Sequence, residues 1–326
     1  MNASRRTVAR LLLVAGALVA IAPSFADYPE HPVRMVVGFP PGQATDVIAR
    51  EMSRKLMDAL PGSSFVVENR PGAAGILGTR SVAVAPPDGS TILMASSGTL
   101  AVNPALYSSL PYDSVKDFQP ITLAATVPLY MVVNPSLPAN TVAELVALAR
   151  AQPGKINYGS GGSGVTNHLA MEMFKGAAGI DMTHIPYKGG PAAVTDLMAG
   201  RISVMFETGP AVLQFINDGR LRALAVSSAK RASARPELPT IAESGYPGFE
   251  AVPWIGLVAP AGIPKPVLDT LSRESMKILH EKEFEAKLAS LGADAVGNTP
   301  DEFAAYIKSE IARWTEAVKK SGAKVD

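Results

Sequence analysis

Val33-Arg34-Met35-Val36-Val37-Gly38-Phe39-Pro40-Pro41-Gly42-Gln43-Ala44-Thr45-Asp46 joins an apolar run to a Pro/Gly turn and then to the start of a helix. The run 33–37 is rich in β-favouring residues and predicts a strand. From Thr45 to Leu60, the residues Val47, Ile48, Met52, Leu56 and Leu60 fall on one helical stripe. The same alternation then continues along the chain. Strands are expected at 65–67, 91–95, 129–133, 155–158, 182–185, 202–206, 221–226 and 254–259. Helices are expected at 73–85, 141–151, 166–177 and 191–199. Strands alternating with helices predict an α/β architecture. The last third turns helical, over 266–279 and 283–291. A final helix is opened by Thr299-Pro300-Asp301-Glu302, and it places Phe303, Ile307, Ile311, Trp314 and Val318 on one face. That face is expected to dock on the body of the protein.

The 326 residues carry a formal net charge of +1, 47% hydrophobic residues and no cysteine. Absent cysteine excludes disulfides, thiolate catalysis, Cys-type zinc sites and thioester-linked lipid anchors. The near-neutral balance excludes a nucleic-acid binder of the usual basic kind. Arg5, Arg6 and Arg10, the apolar run Leu11 to Ala22, and Ser24-Phe25-Ala26 have the three parts of a secretory signal peptide. Twelve apolar residues fall short of the roughly 20 that a membrane span needs. Cleavage is expected near Ala26/Asp27, by either the general or the twin-arginine route. Removing 1–26 takes three arginines and no acid from the 30 basic and 29 acidic residues, so the mature chain has a net charge of −2.

Two loops have the pattern expected of an anion site, the first of them equally that of a plain strand-to-helix turn. In the first, Pro40 and Pro41 restrict the backbone and Gly42 permits a sharp turn, so that amides at the following helix start face outward. Asp46 can accept amide hydrogen bonds within the loop, or serve as a surface acid in the first helical turn. The second is Tyr158-Gly159-Ser160-Gly161-Gly162-Ser163-Gly164-Val165-Thr166, again between a strand and a helix. It matches Gly-x-Gly-x-x-Gly, yet the next strand ends in Pro186-Tyr187-Lys188 and lacks the ribose-binding acid. Val165 stands where a phosphate-binding loop needs its lysine. What remains is a Gly/Ser nest for one small anion, and no cofactor is expected. His31, His168, His184 and His280 show no metal-ligand spacing, so no metal is expected either. Ser160 and Ser163 lack the Gly-x-Ser-x-Gly frame of a hydrolase elbow; a secreted serine hydrolase using either with His168 is the weaker alternative.

Phe39-Pro40-Pro41-Gly42 with Asp46, the Gly/Ser loop with His168-Leu169, and Ile185-Pro186-Tyr187-Lys188-Gly189 carry a resemblance. So do Asn103-Pro104-Ala105-Leu106-Tyr107, Asp196-Leu197-Met198-Ala199-Gly200, Leu238-Pro239-Thr240-Ile241-Ala242-Glu243-Ser244-Gly245 and Ala259-Pro260-Ala261-Gly262. In this order, over the whole mature chain, they resemble the Bug-type extracytoplasmic solute receptors, the TctC-like component of tripartite tricarboxylate transporters. One departure stands out: the family usually has Gly-Gly in the first loop, and this chain has Gly42-Gln43.

The resemblance implies a two-lobed periplasmic binding protein of type II-like, Venus-flytrap form, with the chain crossing between lobes. Lobe one would comprise 27–128 and 230–326, and lobe two 129–229. It implies a monomeric, non-enzymatic receptor for a small carboxylate, working with membrane transporter subunits or, alternatively, with a membrane signalling partner. The expected ligand-binding residues are Phe39, Pro40, Pro41, Gly42, Gln43, Ala44 and Asp46 in the first loop. Ser96, Ser97 and Gly98 after the third strand are expected to reach the far end of the ligand. Ser160, Gly161, Ser163, Gly164 and His168 complete the second loop, and Lys188 is the nearest candidate cation, or else a solvated turn residue.

Overall fold

The computed structural model describes residues 28–321; the expected signal peptide lies outside them. With strands numbered in chain order, the first sheet contains β1 (Val33–Val37), β2 (Phe65–Asn69), β3 (Thr91–Ser96), β4 (Phe118–Thr126), β10 (Trp254–Pro260) and β11 (Asp294–Ala295). Their order is β11-β4-β10-β3-β1-β2. The second contains β5 (Leu129–Val133), β6 (Asn157–Ser160), β7 (Thr183–Pro186), β8 (Val204–Thr208) and β9 (Arg222–Val226), in the order β7-β6-β8-β5-β9. Both sheets are mixed. β2, β1 and β3 are parallel, as are β7, β6 and β8, while β10 and β5 run against their neighbours. The chain leaves the first sheet between Thr126 and Leu129 and returns between Val226 and Trp254. One main-chain bond and one to a side chain tie the two crossings together: Val127 N donates to Pro253 O at 2.8 Å, and Leu129 N donates to Ser227 Oγ at 2.9 Å.

Helices cover both faces of each sheet. Behind the first sheet, Ile48, Met52 and Leu56 of the helix Ala44–Ala59 pack on Met35, Ile92 and Leu257. Behind the second, Val194 and Leu197 pack on Val132 and Met205. A third apolar cluster runs through both sheets, from Val36 and Leu93 past Trp254 to Met131, Phe174 and Phe206. The final helix Pro300–Ser321 joins this cluster through Phe303, Ile307, Trp314 and Val318, with Ile311 half-buried beside them. The docking face therefore meets the body of the protein as its spacing predicts. Glu310 on the same helix is buried and accepts from both indoles, Trp254 Nε1 at 3.0 Å and Trp314 Nε1 at 3.1 Å. The capping box at Thr299 closes in both directions: Thr299 N donates to Glu302 Oε2 at 2.9 Å, and Glu302 N to Thr299 Oγ1 at 3.3 Å.

Several elements were not expected from the sequence, among them β4, the helix Gly209–Asn217, the short helical segments Gly98–Val102 and Asn103–Leu106, and β11. β4 contains Pro120, which removes a ladder donor and argues against a strand. The pairing slips there, between Leu257↔Thr122 and Val258↔Pro120, and this irregularity accommodates the proline inside the sheet. The helix Gly209–Asn217 opens with Gly-Pro, a turn signature by itself, but a proline in the first helical turn costs no intrahelical bond. Elsewhere boundaries moved: 73–85 resolves into a 3₁₀ turn, Ala73–Gly75, and a helix, Ile76–Ala83. Among the described residues no helix is long and apolar enough to cross a membrane.

Candidate functional site

Parallel strands deliver their carboxyl ends to one side of a sheet, where ligands of open α/β folds bind. Here β1 and β3 of the first sheet and β6 and β8 of the second end at a common cavity of about 80 Å³. Three helices start there. Gln43-Ala44-Thr45 open Ala44–Ala59, Val165-Thr166-Asn167 open Thr166–Ala178, and Thr208 precedes Gly209–Asn217; all these residues except Gly209 line the cavity. First-turn amides have no acceptor within their own helix. At none of the three starts does the side chain of the N-cap residue supply one. Thr208 instead turns its hydroxyl to Glu207 Oε1, at 3.0 Å. The cavity thus faces positive helix ends from both sheets.

The two long loops reach their helices in the same way. Gly42 (φ 84°) and Gly164 (φ 79°) each adopt a left-handed conformation one residue before the N-cap, a region that L side chains rarely occupy. They are held by different means. In the first loop Asp46 is a buried hub: Gly42 N donates to its Oδ2 at 2.9 Å, Arg50 Nη2 to Oδ1 at 2.8 Å, and Asn69 Nδ2 to Oδ1 at 2.9 Å. Burial pushes the Asp46 carboxyl up, but the bonds from Arg50, Gly42 and Asn69 outweigh it and hold the pKa below 3.8. Asn69 also donates to Phe39 O at 3.0 Å, so β2 anchors the same loop.

The second loop is held by neutral groups. Ser160 is fully buried and its Oγ bonds His184 Nε2 at 2.6 Å and Gly162 N at 3.1 Å. Gly164 N donates to His168 Nδ1 at 3.1 Å, which requires that nitrogen to be unprotonated. The rings of Tyr158, His184 and His168 stack in a column, with centroids 4.8 and 4.0 Å apart. Tyr158 donates its hydroxyl to Glu172, which is paired with Lys175 at 2.8 Å. Burial, then the neighbouring His168, pushes the His184 pKa down to about 4; burial lowers that of His168 too. Both imidazoles are therefore neutral at pH 7. Ser160 bonds His184 rather than His168 and is fully buried, so the Ser160–His168 pair of the hydrolase alternative is not assembled.

Of the residues expected at the site, Phe39, Gln43, Ala44, Ser96, Ser97 and Gly161 line the inner cavity. Phe39, Pro40, Gly161, Ser163 and Lys188 line an outer chamber of about 520 Å³, together with the segment 71–75. Lys188 is exposed there. Asp46, Ser160, Gly164 and His168 line neither chamber and brace the loops. Gly98 approaches the other sheet, where a Cβ would lie 3.4 Å from Thr166 Oγ1. Pro41 and Gly42 are exposed outside both chambers. Gln43 projects across the cleft: its Nε2 lies 3.4–3.5 Å from where Cβ atoms on Gly161, Gly189 and Gly190 would be.

Sequence reasoning missed Thr166, Asn167, Glu207, Thr208 and Trp254, all of which line the inner cavity. Glu207 is the only ionisable side chain among the lining residues, and it is 4% exposed. It accepts from Thr208 N at 2.7 Å, Thr208 Oγ1 at 3.0 Å and Asn167 Nδ2 at 3.2 Å. Burial raises its pKa above the ordinary carboxylate value, against these three bonds. An acid ending a strand just before a helix was the available signal.

Two α/β lobes with helix starts converging on a cleft define a periplasmic binding protein. Residues 47–323 match the tripartite tricarboxylate transporter family receptor, TctC, and the chain belongs to that family of solute-binding receptors. It is 41% identical over 322 residues to BugT of Bordetella pertussis, covering 97% of this chain and 98% of that relative. The structure of R. palustris Rpa4515 with adipate matches at a TM-score of 0.89 and 36% identity, over 92% of this chain and all of the other. MatC (Rpa3494) from Rhodopseudomonas palustris, with bound malate, matches at 0.83 and 28% identity, over 89% of this chain and 100% of that one.

Proposed function

We propose that this protein captures a small carboxylate between its two lobes in the periplasm and delivers it to the membrane subunits of a tripartite tricarboxylate-type transporter. One observation carries the reading: three helix starts without side-chain caps, drawn from both sheets, face one cavity that no Lys, Arg or His among the described residues lines. Such a site suits an anion held by amides rather than by a salt bridge. Hydrogen bonds to a charged group contribute about 1.5–3 kcal/mol each. Three or four, less the cost of ordering, correspond to about −8 kcal/mol and a micromolar dissociation constant. Adipate and malate in the related structures support the substrate class.

The ligand-contacting groups would be Phe39, Gln43, Ala44, Ser96, Ser97 and Gly161 at the inner cavity, with Ser163 and Lys188 at its mouth. Lobe one comprises 27–128 and 230–326, lobe two 129–229, and closure occurs about the bonded crossings at Val127–Pro253 and Leu129–Ser227. Residues 1–26 act as the export signal, and cleavage near Ala26/Asp27 frees the mature chain. Thermal-shift screening of the mature protein against mono-, di- and tricarboxylates should raise Tm with at least one acid. Mass spectrometry of denatured protein should identify any acid that co-purifies. No shift and no calorimetric heat from a broad acid panel would overturn the reading.

A further inference from the structure

The inner cavity holds a group at odds with simple anion capture. Glu207 places a carboxyl group in the same small space that the helix starts make attractive to an anion. Among the described residues no Lys, Arg or His lines that space to compensate it. Its three donors are neutral: the Thr208 amide, the Thr208 hydroxyl and the Asn167 amide. All its bonds are accepted, which favours the ionised form, while burial works against it; a cationic partner in the cavity would relieve that burial. A Cβ on Gly190 would lie 2.3 Å from Glu207 Oε2, so glycine there leaves the carboxyl its room.

The three helix starts are consequently unequal. Thr166–Ala178 has no acid in its first turn, and the Asp46 carboxylate in the first turn of Ala44–Ala59 does not line the cavity and is taken up by Gly42, Arg50 and Asn69. The helix Gly209–Asn217 has Glu207 just ahead of it, and Pro210 in its first turn removes one donor. Two positive ends and one carboxyl around about 80 Å³ form a pattern complementary to a zwitterion. An acid without the amine would instead bring only negative charge to Glu207, where an uncompensated buried charge is costly.

We infer that Glu207 is a specificity-determining residue that receives the ammonium group of the ligand, so that this receptor selects amino-bearing carboxylic acids over the same acids without the amine. This rests on the carboxylate reading above and narrows it. The ligand carboxylate sits at the starts of Ala44–Ala59 and Thr166–Ala178. Its ammonium donates to the Glu207 carboxylate, and Gln43 closes over it from the first lobe.

The test is calorimetry on the mature protein with matched pairs: succinate against aspartate, glutarate against glutamate, and butyrate against 4-aminobutyrate. For at least one pair the aminated member should bind about tenfold tighter or more, as expected for a charge-assisted bond. Glu207→Gln should bring that ratio to about threefold or less, because the neutral amide loses the charge but keeps the shape. Glu207→Asp, which keeps the charge on a shorter stem, should retain the preference at lower affinity, and it serves alone if the Gln variant does not fold. Tighter or equal binding of every unaminated acid overturns the assignment and leaves the carboxylate reading intact. So does a preference that survives in Glu207→Gln. Binding of no acid in either series overturns the assignment, and the carboxylate reading falls with it only if the broad acid panel is also silent.

Discussion

The two loops at the cleft do one job with opposite chemistry. Each uses a left-handed glycine before an N-cap to aim the first turn of a helix at the cavity. Gly38–Thr45 is fastened by a charge: Asp46 gathers Gly42, Arg50 and Asn69. Ser160–Val165 is fastened by neutral polar groups and a column of rings, in which Ser160, His184, His168 and Tyr158 hold one another. A fixed charge tolerates solvent change over most of the pH range but fails abruptly when its hub is lost. A neutral imidazole column is sound at neutral pH and is the more exposed of the two to acid.

The largest expected effect breaks the charged side. Asp46→Ala leaves the Arg50 guanidinium and two amide donors without their shared acceptor, and should cost about 2–3 kcal/mol of stability. It should also weaken ligand binding at least about tenfold, since the loop amides lose their aim. Chemical denaturation and calorimetry read the two effects. Full retention of affinity would show that the loop is held by its prolines alone.

The next prediction sets the loops against each other by pH. His184 is depressed from 6.5 to about 4, so between those values the unfolded chain binds more protons than the folded one. Stability from this group is present above pH 6.5 and is lost as pH falls toward 4. Asp46 is depressed below 3.8, so its contribution is present above that value and lost only on further acidification. Hydrogen exchange followed against pH should show 160–165 loosening first and 38–45 later. His184→Gln should flatten the first window. Simultaneous loosening of both loops would contradict the division.

Gln43→Gly tests the contact between the lobes. Removing an amide that reaches Gly161, Gly189 and Gly190 should speed ligand release severalfold, about 0.5–1.5 kcal/mol, with little change in Tm. Stopped-flow dissociation measures it, and an unchanged release rate would place the side chain in solvent. Lys188→Ala should have the smallest effect. Its exposed position at the mouth predicts a salt-dependent fall in association rate of about twofold and an unchanged release rate.

Much of this was legible in the sequence. The strand–loop–helix alternation, the two glycine turns and the docking stripe of the last helix are local patterns, and each appears in the structure at or near its expected position. Asp46 was legible as a possible brace because its spacing from Gly42 is that of a helix start. Sequence proximity was a poor guide to the histidine contacts: His168 is near Ser160 in sequence, yet the ring that reaches Ser160 is His184 on the neighbouring strand β7. β4 was missed because Pro120 argues against a strand locally, and only its antiparallel partner shows how the ladder absorbs it. Glu207 was missed for a related reason. As one acid before Thr-Gly-Pro it looks like a surface residue at a turn, and its burial depends on which helices start beside it.

The sequence by itself determined the units: α/β segments, glycines where the backbone must turn left-handed, and a cysteine-free chain of near-zero charge. Those properties follow from short-range sterics and composition, which need no partner. The tertiary structure decided which ends meet. It brought β1, β3, β6 and β8 from distant parts of the chain to one cavity, placed three helix starts around it, and buried Glu207 among them. Charge in a cavity depends on what surrounds it in space, and that is set by sheet order and crossover, not by neighbours along the chain.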